Sequence, residues 1–256
     1  MTHHDPASRD PAVHDPRTLV FLDTETTGIE NGRIIQLAYK ARGAGAADDG
    51  AMHIDYFKPP VPIEIEAMAV HHITETHVAQ EPPFAASAAQ RALAGLLTRP
   101  DAVIVAHNAA FDIGILDREG MFASAGPFIC TMKVAMARYD LPQYKMQYLR
   151  YLWGIEDDGA TAHDAGGDVA ILERVFDRML EDYVREEGTA EYEALRAFIA
   201  ISRNPVLLRR MTFGRYAGKT FAEVAAADRG YLEWLATLND KGEDFAYTVR
   251  HHLGAQ

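Results

Sequence analysis

An apolar run that ends in two carboxylates constrains this chain more than any other stretch. Leu19–Leu22 is a short apolar segment of the kind that forms a buried strand, and Asp23 and Glu25 follow it. Residues two apart on a strand project to the same side, so the two carboxylates share one face. They repel each other, and a hard divalent cation would relieve that repulsion. A solvated acidic pair that opens the following Thr-Thr-Gly turn is the alternative.

Composition places the chain among proteins with a substantial core. Its 256 residues are 48% hydrophobic, enough for one large domain or for one domain with a small companion. We expect no membrane association, because no apolar run has spanning length and the first residues are polar rather than a signal peptide. A single cysteine, Cys130, excludes an intramolecular disulfide and a cysteine-rich zinc site, and predicts a reducing, cytoplasmic location.

The net charge of −12 is unevenly distributed. From Arg203 onward the chain carries eight Lys and Arg against six Asp and Glu, a charge of +2, while the remainder carries −14. An acidic body argues against tight, charge-driven binding of any polyanion. It does not exclude a nucleic-acid substrate if part of the negative charge ligates metal and a local basic surface holds the backbone.

The order of the predicted elements indicates an α/β fold with a mixed sheet, in which three strands meander before strands alternate with helices. We predict a disordered tail over residues 1–18, a main domain over 19–203 and a small α+β module over 204–256, with the boundary at Asn204-Pro205. The predicted strands are 19–22, 33–41, 52–57, 102–106 and 128–130. The predicted helices are 63–70, 84–97, 111–119, 132–138, 146–153, 164–183 and 191–201.

Two further acidic sites follow downstream. Asp112 comes at the start of a predicted helix after a buried strand, where an acid also suits the helix dipole. Asp168 heads an apolar helical stripe and is therefore predicted to face the core, where a carboxylate without a partner costs several kcal/mol, roughly. His163 can share a site with Asp168 only from the loop before the helix, and the poor helix formers Gly166 and Gly167 predict a helix that starts late.

These motifs together resemble the DEDDh family of 3′→5′ exonucleases. The family is matched by Asp23-x-Glu25, by Asp112 in an Ala-His-Asn-x-x-Phe-Asp setting and by His163-x₄-Asp168, in that order. The resemblance spans about residues 19–179 and implies a ribonuclease H-like five-stranded sheet flanked by helices. It also implies that the four carboxylates hold two Mg²⁺ ions, for which Mn²⁺ substitutes, and that His163 is the general base for the attacking water.

The resemblance extends to residues that contact the substrate. Ile29 resembles the apolar residue that packs on the terminal base in this family, and the segment 68–74 is similar to its Val-His-Gly-Ile-Thr stretch. The family's glycine is His72 in this chain, which weakens the transfer of a role to that loop. Five residues receive substrate-binding roles by this likeness: Thr26, Ile29, His71, Asn108 and Phe111.

The last fifty residues resemble the small C-terminal module of exodeoxyribonuclease X-like proteins. The matching motifs are Phe213-Gly-x-Tyr-x-Gly-Lys, a predicted hairpin, and Arg229-Gly-Tyr-Leu-Glu-Trp. Gly218-Lys219-Thr220 does not complete a phosphate loop, because Phe213 stands where that motif needs glycine. Two interpretations of Phe213, Tyr216 and Tyr231 stay open, a small core and a base-stacking surface. The basic residues around the hairpin either hold phosphates or remain solvated: Arg209, Arg210, Arg215 and Lys219.

The leading functional prediction is a magnesium-dependent 3′→5′ exonuclease that acts on single-stranded or frayed DNA ends and releases nucleoside 5′-monophosphates. An RNA exonuclease of the same fold, or a proofreading subunit held by a polymerase, is the near alternative. A metal-binding but inert nucleic-acid adaptor belongs to a different class, and a missing motif acid would have favoured it. None of the four acids is missing.

Overall fold

The computed structural model describes residues 16–43, 45, 50–156, 165–238 and 241–254. The tail predicted over residues 1–18 therefore lies largely outside the described residues. Its last residue, Thr18, is buried and begins the first strand.

One mixed sheet of five strands forms in the described parts of the chain. The strands are β1 (Thr18–Thr26), β2 (Ile34–Arg42), β3 (Met52–Tyr56), β4 (Ala102–Ala106) and β5 (Phe128–Cys130). Their spatial order is β3-β2-β1-β4-β5. β1 pairs antiparallel with β2, β2 pairs antiparallel with β3, and β1 pairs parallel with β4. The predicted meander and mixed α/β sheet are confirmed, and β1 occupies the centre of the sheet.

The helices of the described residues account for the rest of the regular structure. They are α1 (Ile65–His71), α2 (Glu75–Val78), α3 (Ala88–Leu97), α4 (Ala110–Arg118), α5 (Thr131–Arg138), α6 (Met146–Leu152), α7 (Ala165–Glu187), α8 (Glu191–Arg203), α9 (Phe221–Ala227), α10 (Arg229–Leu235) and α11 (Glu243–Leu253). Short 3₁₀ turns lie at Phe84–Ala86 and Ala123–Ala125.

The chain forms two compact units, and the first takes the described residues within 1–106, 110–128 and 159–170. Its core is the centre of the sheet: Val20, Phe21 and Leu22 of β1 are fully buried, and so is every position of β4 to within a few percent. A strand buried in this way is a costly place for charge, because little water reaches either face. Carboxylates on β1 therefore need compensation from their surroundings.

The second unit takes the described residues within 107–109, 129–158 and 171–256. Phe176 of α7 and Phe198 of α8 meet edge to face, with ring centroids 6.2 Å apart. The last three helices and the preceding hairpin enclose a separate cluster of buried side chains: Met211, Phe221, Val224, Leu232, Leu235, Phe245 and Val249. Its hairpin is closed by a single bridge between Arg210 and Thr220, and the regular structure of this part is otherwise helical.

Two predicted elements differ from the structure for identifiable reasons. The first strand does not end at Leu22, because its pairing with β2 continues as far as Glu25, opposite Gln36. The helix predicted over 84–97 is broken at Ser87, whose extended backbone (φ −79°, ψ 157°) ends the 3₁₀ turn. The Ser87 hydroxyl then accepts a hydrogen bond from the N–H of Gln90 at 3.0 Å and caps α3.

Candidate active site

Asp23 and Glu25 lie inside the central strand rather than after it. Both are partly exposed, while Thr24 between them is buried, as the alternation of a strand requires. Glu25 is the last residue of the regular register, which shifts between Glu25 and Thr26. The two carboxylates thus share one face at the end of a fully buried run, as predicted.

Asp168 joins them from the first turn of α7. One carboxylate oxygen from each of Asp23, Glu25 and Asp168 lies within 4.8 Å of the other two. Asp168 is only 7% exposed, although it is a charged residue. Three carboxylates this close need positive charge between or beside them, and their oxygens are the ligands that hard divalent cations prefer.

A long-range hydrogen bond ties the start of α7 to the sheet. The N–H of Ala165 donates to Oε1 of Gln36 at 3.3 Å, and Gln36 is the residue opposite Glu25 on β2. The helix predicted over 164–183 is described from Ala165 and contains Gly166 and Gly167, which are buried and do not delay its start. Because glycine has no side chain, neighbouring residues can pack directly against the backbone of this first turn. His163, the predicted general base, lies outside the described residues, and its role stays a prediction.

Asp112 is held separately, in the first turn of α4. It is 2% exposed, and its Oδ1 accepts hydrogen bonds from the N–H and the hydroxyl of Thr24, at 3.1 and 2.8 Å. Burial raises the pKa of this carboxyl to about 7, against the opposing effect of the two Thr24 hydrogen bonds. In the part of the chain that the structure describes, the close cluster comprises Asp23, Glu25 and Asp168, without Asp112. Thr24 nevertheless couples Asp112 to the strand that carries two of the cluster's acids.

A pocket of about 630 Å³ opens beside these residues in the first unit. It brings together four of the five predicted substrate-binding residues: Thr26, Ile29, His71 and Phe111. Ile29 is 81% exposed at the tip of the loop after β1, so this large apolar side chain is presented rather than packed. Asn108, the fifth, is an exposed residue with left-handed backbone (φ 61°) before α4, in the second unit.

The loop that presents Ile29 is fixed from both sides. The N–H of Thr27 donates to the carbonyl of Arg33 at 2.9 Å, which closes the loop on itself. Arg33 then makes a two-pronged ion pair with Glu119, with both distances 2.7 Å, and Glu119 follows the end of α4. A bidentate guanidinium–carboxylate pair has defined geometry. The loop with Ile29 and the helix with Phe111 and Asp112 are thereby joined at a second point.

His71 is part of the framework of this pocket. Its Nδ1 accepts a hydrogen bond from the N–H of Ile73 at 3.0 Å, so its Nε2 carries the proton and donates to the carbonyl of Thr26 at 3.2 Å. Burial lowers the pKa of the His71 imidazole, with the Thr26 hydrogen bond opposing. The ring is therefore neutral near pH 7, and it positions α1 against the end of β1.

Sequence reasoning missed one wall of the pocket. Glu64, Glu66, Ala67 and Val70 also line it. Ala67, Val70 and His71 follow the i, i+3, i+4 spacing of one helix face, which was the available signal. Glu64 packs against Gly28, where an added Cβ would lie 2.2 Å from its carboxylate carbon. That close approach explains the glycine of the Thr-Thr-Gly turn.

Comparisons with known proteins agree with this geometry. The Exonuclease (RNase_T) family matches residues 20–176, and the Exodeoxyribonuclease X-like C-terminal family matches residues 211–240. The chain belongs to the exonuclease family. It is 32% identical to exodeoxyribonuclease 10 of Escherichia coli (strain K12) over 248 residues, which is 92% of this chain and 98% of that protein.

Solved structures of exonucleases superimpose on this chain. A structure of exonuclease X in complex with 5′-overhanging duplex DNA superimposes with a TM-score of 0.55 at 25% identity, covering 72% of this chain and 99% of the other. The nuclease domain of 3′hExo, a DEDDh family member bound to rAMP, gives a TM-score of 0.52 at 18% identity, covering 65% and 92%. The predicted ribonuclease H-like fold is confirmed. Within the described residues, no helix of this exonuclease-family chain is both long and apolar enough to span a membrane.

Proposed function

We propose that this chain is a divalent-metal-dependent 3′→5′ exonuclease that acts on DNA 3′ ends and releases nucleoside 5′-monophosphates. The observation that carries the proposal is the carboxylate cluster of Asp23, Glu25 and Asp168 beside a pocket with exposed apolar side chains. A phosphodiester next to such acids reacts only if positive charge is supplied there, and a terminal base needs an apolar surface. The first unit offers a place for each.

The donor set fits magnesium. All the ligands are carboxylate oxygens, which favour Mg²⁺ or Mn²⁺ over softer transition metals. Asp112 supports a second ion, because its raised pKa marks a buried carboxylate whose ionised form is poorly compensated. We therefore assign two Mg²⁺ ions, replaceable by Mn²⁺, to the four acids. When bound, such ions lower the pKa of water and stabilise a departing oxygen.

The remaining residues bind and orient the 3′-terminal nucleotide. Ile29 and Phe111 contact its base, while Thr26 and His71 shape the floor that the sugar faces. The described lining of the pocket contains Glu30, Glu64 and Glu66 but no lysine or arginine, so it favours a neutral base over a phosphate. His163 takes the proton of the attacking water, a role that the motif spacing supports. Asn108 stays assigned to substrate binding on the same ground.

DNA is the favoured substrate, because the similarity to exodeoxyribonuclease 10 covers nearly the whole of both chains. We favour single-stranded or frayed 3′ ends. An RNA exonuclease and a polymerase proofreading subunit are the alternatives that the assay below distinguishes. The domain boundaries proposed are 19–203 for the exonuclease domain and 204–256 for the small module, supported by the family matches at 20–176 and 211–240. The cytoplasmic location proposed follows from cysteine usage.

Digestion of end-labelled oligonucleotides tests the proposal. Matched single-stranded DNA, frayed duplex, 5′-overhanging duplex and RNA are incubated with Mg²⁺, with Mn²⁺ or with EDTA. We expect nucleoside 5′-monophosphates from single-stranded and frayed DNA, only with metal. Faster release from RNA would favour the RNA exonuclease, and shortening from the 5′ end would overturn the polarity. Hydrolysis that persists in EDTA would remove the metal assignment.

A further inference from the structure

The small C-terminal module exposes an aromatic residue that its core does not need. α10 has seven residues, and two of them, Leu232 and Leu235, are fully buried in the module's cluster. Trp234 on the same helix is 52% exposed, although tryptophan is among the side chains that gain most from burial. Phe213, Tyr216 and Tyr231 pack against the cluster but are only partly buried, so their packing in the small core leaves part of each ring exposed. Trp234 lies outside it.

Trp234 lies at one end of an array of three aromatic rings, in which the first pair is tilted and the second meets edge to face. Its ring lies 5.3 Å from that of Tyr231, with 33° between the planes, and Tyr231 lies 5.1 Å from Tyr216. The Arg215 guanidinium sits over both tyrosines, 4.6 Å from the Tyr231 centroid and 5.0 Å from that of Tyr216. An open depression of about 490 Å³ adjoins the array, lined by Arg215, Asp228, Gly230, Tyr231 and Trp234. The open depression is therefore bordered by the rings of Trp234 and Tyr231 and by the Arg215 guanidinium.

The array is held rigid by Asp228. One carboxylate oxygen accepts the N–H of Tyr231 at 3.0 Å, and the other accepts the Tyr216 hydroxyl at 3.0 Å and pairs with Arg215. The Tyr231 hydroxyl also packs over Gly214, where an added Cβ would lie 2.3 Å from it. The polar groups of the array are thus engaged with one another. A ligand meets ring faces that are already ordered, which lowers the entropic cost of binding.

Charge decides what kind of ligand suits this surface. The segment from Arg203 onward carries +2 in a chain of net charge −12. Three of its six arginines are compensated, however, because they pair with carboxylates: Arg210 with Asp140, Arg215 with Asp228 and Arg229 with Glu233. The surface therefore tolerates a polyanion but is not built to grip phosphates. A planar, uncharged group on a polyanionic strand satisfies both conditions.

We propose that Trp234 and Tyr231, braced by Arg215, form a stacking platform for an unpaired base of single-stranded DNA, distinct from the site of hydrolysis. The choice of DNA as the occupant rests on the function proposed above. Base–aromatic stacking tolerates any sequence, because every base has a π face. The module thereby adds affinity for a strand without adding a sequence preference. The Arg229–Trp234 motif lies beyond the exonuclease match at 20–176. Its role in this proposal is to bind a base of the DNA strand.

The chain's two tryptophans allow a direct test. Trp153→Phe leaves Trp234 as the sole tryptophan and keeps an aromatic ring against Tyr139, 5.2 Å from Trp153. In EDTA, where no hydrolysis occurs, this variant is titrated with oligothymidylate and with an abasic oligonucleotide of equal length. We expect saturable quenching of Trp234 emission by oligothymidylate and at least tenfold weaker binding of the abasic strand. Equal binding of both strands would overturn the platform and leave a phosphate contact.

Substitutions at Trp234 supply the second measurement. Trp234→Ala should weaken oligothymidylate binding by about 5- to 100-fold, the loss expected for one stacked base, and Trp234→Tyr should restore most of it. Melting temperatures of both variants show that the module is folded. A proline-rich peptide is the competing ligand for an aromatic-lined groove. Quenching by that peptide but not by DNA would overturn the proposal and identify a peptide site.

Hydrolysis of a short oligonucleotide with Mg²⁺ separates this proposal from the proposed function. Trp234→Ala should cleave it at the wild-type rate, since the four acids assigned to hydrolysis lie in the first unit. If the wild type does not cleave, the proposed function fails, whereas the quenching result still stands by itself. If the wild type cleaves and Trp234 is not quenched, the platform alone fails.

Discussion

The pKa values of two buried carboxylates in this molecule are shifted in opposite directions. Asp182, on α7 in the second unit, is 4% exposed. Burial raises its pKa, but hydrogen bonds from Arg178, Arg185 and Tyr139 together lower that pKa by a larger amount. The outcome is a pKa below the usual range. Asp112, in the first unit, is 2% exposed, and burial raises its pKa to about 7 because only the neutral donors of Thr24 oppose it.

The difference lies in whether the protein itself supplies a positive charge beside the carboxylate. The protein supplies the countercharge for Asp182 itself, since arginines three and four residues away on the same helix pair with it. For Asp112 the described neighbours supply dipoles and no full positive charge. Asp112 lies in the same unit as the cluster of Asp23, Glu25 and Asp168, where we propose that divalent cations bind. The predictions below test that contrast.

The largest effect is expected at the cluster. Asp168→Asn or Asp23→Asn should remove detectable hydrolysis, because each carboxylate is a direct ligand in the proposed site, while the fold and the metal-free melting temperature stay intact or rise as repulsion is relieved. Turnover and melting are measured on the same preparations. Glu181→Gln, an exposed carboxylate on α7, is the matched control and should behave as wild type. A soluble Asp168→Asn protein with normal turnover would end the assignment.

The general base comes next. His163→Ala should lower turnover by about 10²–10⁴-fold, the usual cost of losing a positioned base, with little change in metal affinity. The pH–rate profile of the wild type should rise through the pKa of this imidazole, and the rise should flatten in the variant. Metal affinity is measured by titration calorimetry. If the titration shows that His163 is required for metal binding, it is a ligand rather than a base.

The two buried carboxylates should respond oppositely to amidation. A folded-state pKa of about 7 against 3.8 means that the metal-free protein loses stability as pH rises from about 4 to 7, by a few kcal/mol at most. Asp112→Asn removes that loss, keeps an acceptor for Thr24 and should raise the metal-free melting temperature at pH 8. Asp182→Asn should instead destabilise by about 1–3 kcal/mol, because it replaces the charged acceptor of the hydrogen bonds from Arg178, Arg185 and Tyr139 by a neutral amide.

The stability gained on adding Mg²⁺ should also distinguish these two variants. Added Mg²⁺ should stabilise the wild type at pH 8 by mass action and should stabilise Asp112→Asn much less. The melting of Asp182→Asn should shift with Mg²⁺ as the wild type does. The contrast fails if both variants lose stability equally at pH 8 in EDTA.

The smallest effect is expected at His72, which occupies the family's glycine position. His72 follows α1 with φ 61° and ψ 15°, the left-handed region that favours glycine, while its N–H donates to the carbonyl of Met68. A side chain in the left-handed region costs about 1–2 kcal/mol, and the greater chain entropy that glycine loses on folding offsets part of that gain. His72→Gly should therefore stabilise the protein by about 0.5–1 kcal/mol. His72→Ala, which keeps the strain, is the control. Chemical denaturation measures both, and equal stability of the two variants would refute the backbone argument.

Most of the fold could be predicted from local sequence patterns. β4 and β5 were predicted with their observed bounds, because a continuous apolar run or a short β-branched segment needs no distant partner to be recognised. The break at Ser87 was missed, since a serine in an alanine-rich stretch is compatible with a helix until its hydroxyl is seen to cap one. The reach of β1 beyond Leu22 was missed because it depends on pairing with β2.

The site was predictable in its chemistry and not in its framework. The motif acids are recognisable from type, order and spacing, and the structure brings Asp23, Glu25 and Asp168 together. The Gln36–Ala165 hydrogen bond and the Arg33–Glu119 ion pair could not be predicted, because each joins residues more than eighty positions apart without a sequence pattern. The ion pair of Arg210 with Asp140 could not be predicted either, and it is a third arrangement beside the phosphate contact and the solvated side chain that the sequence left open.

The bond from Ala165 to Gln36 spans 129 positions, and it bears on how this protein is made. A ribosome has translated nearly two thirds of the message before α7, which carries Asp168, can dock beside β2. Until then the nascent chain holds Asp23, Glu25 and Asp112 on a sheet that lacks its last acid. Under the proposed function, a chain that ends before α7 lacks Asp168, and we expect such a prematurely terminated product to be unable to degrade nucleic acid.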